Sequence, residues 1–262
     1  MKIRFLRADP AGNITLFVIT PVEKKDRAAI AARLMQLPEY QAEQVGFLCP
    51  PECGAMGRME MMGGEFCGNA TRSYGMLLSR EHGFLPRVEV EVSGMKGSSF
   101  VDVDWENHTA RAEMPVPASI RPVKAGGAPA VLVDLGGIAH LIVENQKPRI
   151  EFFEAAEPVF AETLGRRADA VGVNFIDRGA RTLTPVVKVY STDTVVFEGS
   201  CASGTISAAS ALCADMAEGT FSYTFREPSG ILTGTVVKRN GIILRAYIGG
   251  PVSLGEPVEE DI

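Results

Sequence analysis

The sequence predicts an α+β protein built from two similar, pseudo-twofold-related lobes, and three observations carry that expectation. The first is an internal repeat. Val45-Gly46-Phe47 and Val171-Gly172-Val173 each follow an Ala-rich helical stretch, and Cys67-Gly68-Asn69-Ala70 and Cys201-Ala202-Ser203-Gly204 each open a helix rich in small residues. Ser93-Gly94 matches Ser229-Gly230, and Pro115-Val116 matches Pro251-Val252. The landmarks keep their order while their offset grows from 126 to 136 residues, as two diverged copies with short loop insertions would. The second observation is composition: 27 Gly and 16 Pro among 262 residues, with 7% aromatics, favour many short elements joined by turns. The third is patterning, since strand-like runs clearly outnumber helical ones.

The elements follow in order. IRFLRA and ITLFVIT read as strands around a Pro-Ala-Gly turn, Asp26 caps a helix running through about Leu37, and the alternating VEVEV near residue 90 is a strand. In the second copy AVLVD and LIVEN are strands, residues 151–164 are helical with a kink near Pro158, and TPVVKVY, GTVVK and IILRAYI are strands. Each copy therefore holds many strands and two helices, the second helix starting just after Cys67 or Cys201. The Pro-rich stretch 114–129 marks a boundary. The first lobe is expected over residues 1–118, with the tail 253–262 as a candidate addition, and the second over 119–252, with the active site in the cleft between them.

With 46% hydrophobic residues the chain has ample material for one or two cores. Twenty-six Lys and Arg against 32 Asp and Glu give a net charge of -6, and no basic run offers a phosphate-backbone footprint, so nucleic acid is not an expected partner. No run reaches the roughly 18 apolar residues of a membrane span, and the start lacks the apolar core of a signal peptide; a cytoplasmic protein is expected. Five cysteines, an odd number, favour free thiols over a disulfide framework.

Two of those thiols stand at helix starts. There the unsatisfied backbone N–H groups and the helix dipole favour anions, so a thiol pKa falls toward the thiolate range and the cysteine can act as a base. The residues after each cysteine are small, which leaves the N–H groups open to a carboxylate ligand. If the repeat sets the two sites face to face, a carboxylate held between the helix starts shows its Cα to one sulfur on each side. One thiolate removes the Cα proton and the opposite thiol returns one to the other face, the work of a racemase that needs no pyridoxal. No cofactor and no metal are expected.

The residues also resemble a known family. GGEFCGNATRSYG resembles the CGNGAR segment of diaminopimelate epimerase, and GSCASGTISAA its second cysteine segment, usually ACGTGA. Gly12-Asn13 entering a strand is similar to the GND-F opening, and VGVNF around Asn174 to the GVNV segment. The resemblance covers nearly the whole chain. It implies the two-lobed fold of pyridoxal-independent amino-acid racemases and epimerases, each lobe a curved, mostly antiparallel sheet around a central helix. It further implies Cys67 and Cys201 as the acid/base pair, Asn13 and Asn174 as substrate ligands, and the backbone of Gly68, Asn69, Ala202 and Ser203 as the holder of the α-carboxylate.

Three departures bear on the substrate. Where the family has an Asn in FNADGSE, this chain reads RMEMMGGE, with Glu60 nearest that position; where it has GNPH, this chain has Gly137-Ile138-Ala139-His140. Where it has Glu-Arg after VY, Tyr190 is followed by Ser191 and Thr192, carried here as substrate-binding candidates. The missing arginine argues against diaminopimelate, whose distal carboxylate needs such a partner. Glu60 instead suits a substrate with a donor or cation, and histidine, for which racemases resembling diaminopimelate epimerase exist, leads a field including lysine, ornithine and arginine. The structural alternative for Glu60 is a solvated position on an alternating strand.

Other features carry less. Cys49 and Cys53 form C-x3-C without a second ligand pair, so they read as a loop and not a zinc site. His82 is expected at the end of the helix after Cys67, and His140 in a structural role more than a pocket one. Met56, Met59, Met61 and Met62 read as core or pocket wall, and Gly63-Gly64 is not a phosphate loop. Beside the racemase reading stand two alternatives: diaminopimelate epimerase itself, and a redox-responsive amino-acid-binding protein. A homodimer is the prior for assembly.

Overall fold

The structure, a computed structural model, describes residues 1–190 and 193–262. The chain divides into two compact units, Met1–Glu113 with Gly249–Ile262, and Met114–Ile248. Ser191 and Thr192 lie outside the described residues.

The first unit runs β1 (Lys2–Asp9), β2 (Thr15–Val18), α1 (Arg27–Leu34), β3 (Gln44–Cys49), β4 (Gly57–Met61), α2 (Gly68–Glu81), β5 (Arg87–Val92), β6 (Ser98–Asp104) and β7 (Thr109–Met114). Neighbours β1–β2, β3–β4, β5–β6 and β6–β7 pair antiparallel, whereas β2–β3 and β4–β5 pair parallel. The two parallel pairs are the two that a helix bridges, because a parallel connection needs a crossover.

The second unit repeats this plan. It runs β8 (Ser119–Ala125), β9 (Ala128–Asp134), β10 (Ile138–Glu144), α3 (Ile150–Ala156), α4 (Pro158–Leu164), β11 (Ala170–Asp177), β12 (Thr182–Val189), β13 (Thr194–Phe197), α5 (Ala202–Leu212), β14 (Gly219–Glu227), β15 (Gly230–Arg239) and β16 (Ile242–Pro251). Again β9–β10, β11–β12 and β14–β15 are antiparallel, and β10–β11 and β12–β14 are parallel. Two short strands, β17 (Ser253–Leu254) and β18 (Val258–Asp261), then pair antiparallel with β1, as β8 pairs with β9. The fold is α+β, mostly antiparallel, with the repeat legible strand by strand.

Local chemistry explains the departures from expectation. The first helix stops at Leu34 and not near Leu37, since the residue before Pro38 is disfavoured in the helical region, and Asp26 makes no side-chain capping bond. The expected kink at Pro158 divides two short helices, α3 and α4, with Pro158 at a helix start where its missing N–H is harmless. The Pro-rich stretch 114–129 is not all connection, for it contains the β8 strand and opens β9.

Helices α2 and α5 are enclosed. From Gly68 to Ser79 every residue of α2 is buried, and α5 is buried at Ala202 and from Gly204 to Ser210. The first turns of both helices carry small side chains, α5 stays mostly small, and α2 buries larger ones, Arg72, Tyr74, Met76, Leu77 and Leu78, further along. A Cβ at Gly75 would collide with Val101 of β6, so glycine there sets how near helix and sheet lie. At the far end of α5 the buried Lys238 ammonium donates to the carbonyls of Cys213 (3.1 Å), Ala214 and Met216 (2.9 Å), satisfying orphan acceptors with a cation. Phe152, Phe153 and Phe160 of α3 and α4 pack with Phe175 and Val173 into the second unit's core, each burial worth roughly 1.5–3 kcal/mol. Phe5, Leu16, Leu34, Val45 and Phe47 do the same beneath α1. Among the described residues no helix is long and apolar enough to cross a membrane. All five cysteines are free.

Candidate active site

Cys67 is the N-cap of α2, with extended backbone angles (φ −129°, ψ 113°), and its sulfur accepts the Ala70 N–H at 3.4 Å. Its carbonyl accepts both the N–H (2.9 Å) and the hydroxyl (2.7 Å) of Thr71. Gln44, the first residue of β3, points its amide nitrogen at the same sulfur at 3.3 Å. The thiol in turn faces Asn13 Oδ1 at 3.8 Å, an oxygen that also accepts from Gln44 (2.9 Å) and Asn69 (3.3 Å). Asn13 completes its bonding by donating to Glu43 Oε2 at 2.8 Å. Behind them the fully buried Arg72 donates to Asn69 Oδ1 (3.2 Å) and to the carbonyls of Pro10 and Pro251 (2.7 Å each), tying the β1–β2 turn to the helix start. Cys67, Asn13, Asn69 and the backbone of Gly68 are thus one cluster in the first unit.

Cys201 is the N-cap of α5 with nearly the same angles (φ −130°, ψ 104°). Its carbonyl accepts the Thr205 N–H and hydroxyl, both at 2.9 Å, and its own N–H donates to Glu227 Oε2 at 2.6 Å. Glu227, buried on β14, also takes the Thr205 hydroxyl. The Cys201 sulfur lies 3.4 Å from the Ser203 hydroxyl, which lies 2.8 Å from His140 Nε2. His140 Nδ1 is 2.9 Å from Asn174 Nδ2. Both His140 and Asn174 are fully buried, and Asn174 Oδ1 has no hydrogen-bond partner. Two glycines make room: a Cβ at Gly172 would collide with His140, and one at Gly204 with Asn174 Oδ1. Ala202 and Ser203 continue the first turn of α5 beside this group.

The electrostatics correct one sequence expectation. Both thiols stand at helix starts, yet both are pushed up. For Cys67 burial raises the pKa, against the lowering donors Ala70 N–H and Gln44. For Cys201 burial, then Glu198 and Glu227, drive the thiol well above its ordinary value, with the Ser203 hydroxyl opposing. Desolvating a thiolate outweighs a few N–H dipoles. Burial alone pushes the His140 imidazole down to about 3, so the ring is neutral. The Glu43 carboxyl is raised, chiefly by burial.

Glu60 does not behave as a free pocket carboxylate. It lies on β4 opposite Phe47, and one oxygen pairs with Arg27 and the other with Arg58. Arg27 is itself fixed by the Val22 carbonyl (3.2 Å), by Cys49 Sγ (3.2 Å) and by the Phe47 ring beneath it. The cavity Glu60 lines, of about 540 Å³, has Arg27, Arg58, Glu52 and Met61 around it and neither Cys67 nor Asn13. Its charge is spent within the first unit. Cys53 is exposed, in a loop whose N–H groups at Glu52, Cys53 and Ala55 are gathered by Glu91. His82 caps α2, its Nδ1 2.9 Å from the Leu78 carbonyl.

Sequence reasoning missed Gln44, Glu43 and Glu227, and the contacts of His140 with Ser203 and Asn174. The one signal was position: Gln44 immediately precedes the repeated Val45-Gly46 landmark, and His140 sits opposite Gly172 of its counterpart.

The fold has solved counterparts. The phenazine biosynthesis protein of the PhzF family from Bacillus anthracis superposes with a TM-score of 0.72 over 100% of both chains at 13% identity. A hydroxyproline epimerase from Agrobacterium vitis, solved with trans-4-hydroxy-L-proline, superposes with a TM-score of 0.65 over 98% of this chain and 92% of that one, also at 13% identity. In sequence the chain is 27% identical to a histidine racemase of Fusobacterium nucleatum subsp. nucleatum over 95% of its length and 94% of the relative's. The protein is an isomerase of the racemase and epimerase class. Residues 2–256 match the family described as histidine racemase CntK N-terminal domain, and the chain belongs to that family.

Proposed function

We propose that this protein racemises a free amino acid, histidine first, with Cys67 and Cys201 as an acid/base pair and no pyridoxal or metal taking part. One sulfur, as thiolate, takes the Cα proton; the other, as thiol, gives its proton to the opposite face. The configuration inverts and the two sulfurs exchange protonation states, which readies the enzyme for the reverse direction. The observation that carries this reading is the repeated device itself: a cysteine with the same extended backbone capping a buried helix in each unit. Each sulfur has donors that favour its charged form, Gln44 and Ala70 at Cys67 and Ser203 at Cys201.

Helix-start N–H groups at Gly68, Asn69, Ala202 and Ser203 are assigned to the α-carboxylate, where they stabilise the charge that develops as the Cα proton leaves. Asn13 and Asn174 are assigned to the substrate's polar atoms. Asn174 Oδ1, buried without a partner, is suited to a substrate N–H donor. Histidine as substrate rests on the family and on the relatives that carry that description.

The test is Cα-proton exchange in D₂O, followed by NMR, with reduced protein and a panel of L-amino acids that includes diaminopimelate. Exchange on histidine is expected, and Cys67→Ser and Cys201→Ser should each cut racemisation by about 10²–10⁴ while leaving histidine binding. Exchange on diaminopimelate alone overturns the substrate, and silence throughout overturns the racemase reading in favour of binding alone.

A further inference from the structure

We infer that Arg72 is a positioning residue: its buried guanidinium fixes which way the Asn69 and Asn13 amides point, and so leaves Asn13 an N–H, not an oxygen, to offer a ligand. The contacts form one directed line, Arg72 Nε to Asn69 Oδ1 at 3.2 Å, Asn69 Nδ2 to Asn13 Oδ1 at 3.3 Å, and Asn13 Nδ2 to Glu43 Oε2 at 2.8 Å. A guanidinium only donates, so the Asn69 oxygen must face it and the Asn69 NH₂ must face away. The atom that meets that NH₂ must be the Asn13 oxygen, and the Asn13 NH₂ then falls to the Glu43 carboxyl. Gln44, 2.9 Å from the same oxygen, has to turn its own NH₂ toward it. A group that cannot accept thus sets the amides of Asn69, Asn13 and Gln44.

The consequence lies in what Asn13 has left. Its oxygen has two lone pairs, and Gln44 and Asn69 take both. Its nitrogen has two hydrogens, and among the described residues Glu43 Oε2 takes one of them. Half-buried Asn13 therefore meets a ligand as a donor, and the group it suits is an acceptor such as a carboxylate oxygen. Asn174 is the opposite case, since its unpartnered atom is an oxygen. The inference rests on the proposed function only in taking Asn13 for a substrate ligand; the directions of the amides do not depend on it.

Arg72 is otherwise a costly choice. The side chain is fully buried and springs from the second turn of α2, near the positive end of the helix, where a cation is disfavoured. An apolar residue would avoid both costs, as Met76 and Leu77 do a turn further on. What arginine alone supplies is a rigid fork of donors. Two of its arms hold the carbonyls of Pro10 and Pro251 at 2.7 Å each, which fixes the β1–β2 turn that carries Asn13, while Nε holds Asn69. The same group sets both the place and the direction of Asn13.

The experiment uses the full chain. A neutron structure of crystals grown in D₂O separates ND₂ from oxygen at each amide. The Asn69 oxygen is expected toward Arg72 and the Asn13 oxygen toward Asn69, and either amide reversed overturns the inference. Histidine binding, measured by calorimetry, then reads the consequence. Arg72→Lys keeps the charge but not the fork; Asn69→Ala keeps the fork on the two carbonyls but has no amide to pass its direction on. Each should weaken histidine binding about tenfold, near the value of one hydrogen bond to a charged group, while kcat changes less than about threefold. Unmoved histidine affinity in either variant overturns the inference. If neither variant folds, the neutron map still decides. A wild-type protein that neither binds histidine nor exchanges its Cα proton, yet shows the expected amides, sinks the proposed function alone.

Discussion

Cys67 and Cys201 occupy the same position in one structural device and differ in what surrounds it. Their backbone angles nearly coincide, at −129° and 113° against −130° and 104°, and each carbonyl takes both the N–H and the hydroxyl of the threonine four residues on, Thr71 or Thr205. Around Cys67 the side chains Gln44, Asn13 and Asn69 are neutral amides and one carboxylate, Glu65, acts on the thiol, whereas Cys201 has two, Glu198 and Glu227. Equal geometry with unequal electrostatics makes the two thiols chemically distinct, and Cys67, the less strongly raised, is expected to lose its proton first.

Selective alkylation reads that difference. At pH 8, limiting iodoacetamide followed by peptide mass spectrometry should modify Cys67 about tenfold faster than Cys201, because thiolate fraction sets the rate. The comparison is internal to one molecule. Faster labelling at Cys201 would mean that the two carboxylates do not control its charge.

The rate of Cα exchange should be bell-shaped in pH, with limbs that belong to the pair. Both thiols are pushed up by burial, so the rising limb lies on the alkaline side of the ordinary thiol range. Gln44→Leu removes a donor from the Cys67 sulfur and should move that limb further up while the falling limb stays. A profile flat from pH 6 to 9 would be incompatible with thiol acid/base work.

How much of this was legible beforehand follows from the range of each interaction. The repeat was, because a half-buried strand demands alternation and each enclosed helix opens on a cysteine followed by small residues, and both are local patterns. Cys67 and Cys201 announced themselves by the same rule. Partnerships between side chains far apart in sequence were not: Glu60 reads as a lone carboxylate until β3, β4 and α1 pack and bring Arg27 and Arg58 to it. Likewise Gln44 reaches Cys67 only because β3 pairs parallel with β2, placing Gln44 opposite Thr15 and beside the Asn13 turn. The expected lowering of both thiols was wrong in net sign, because burial under the enclosing sheet outweighs the Ala70 N–H at Cys67 and the sulfur of Cys201 takes no capping hydrogen bond.

Glu60 provides a direct check on that point. Glu60→Gln removes the charge that Arg27 and Arg58 share, and should lower stability by about 1–3 kcal/mol in urea unfolding, between the values for exposed and buried pairs. Preference for histidine over neutral amino acids should change less than about twofold. Loss of that preference by more than tenfold would restore Glu60 to the substrate pocket.

His140 ties the site to the stability of the unit that carries it. Its folded value, about 3, lies below the unfolded value near 6.5, so the unfolded chain takes up the proton first. Above pH 6.5 the ring is neutral in both states and adds no pH dependence. As pH falls from 6.5 toward 3 the unfolded state gains a proton the folded state refuses, and stability declines by up to about 1.4 kcal/mol per pH unit. Glu91, held below the carboxylate range by the N–H groups of Glu52, Cys53 and Ala55, adds its own loss only in more acid solution, as pH falls through its lowered value. The Glu43 carboxyl, raised by burial, acts in the opposite sense as pH falls, so the imidazole is read from the difference between wild type and His140→Gln between pH 6.5 and 5. Urea unfolding across that range should give His140→Gln a slope about one proton smaller than the wild type. Equal slopes would mean that the ring takes its proton in the folded chain.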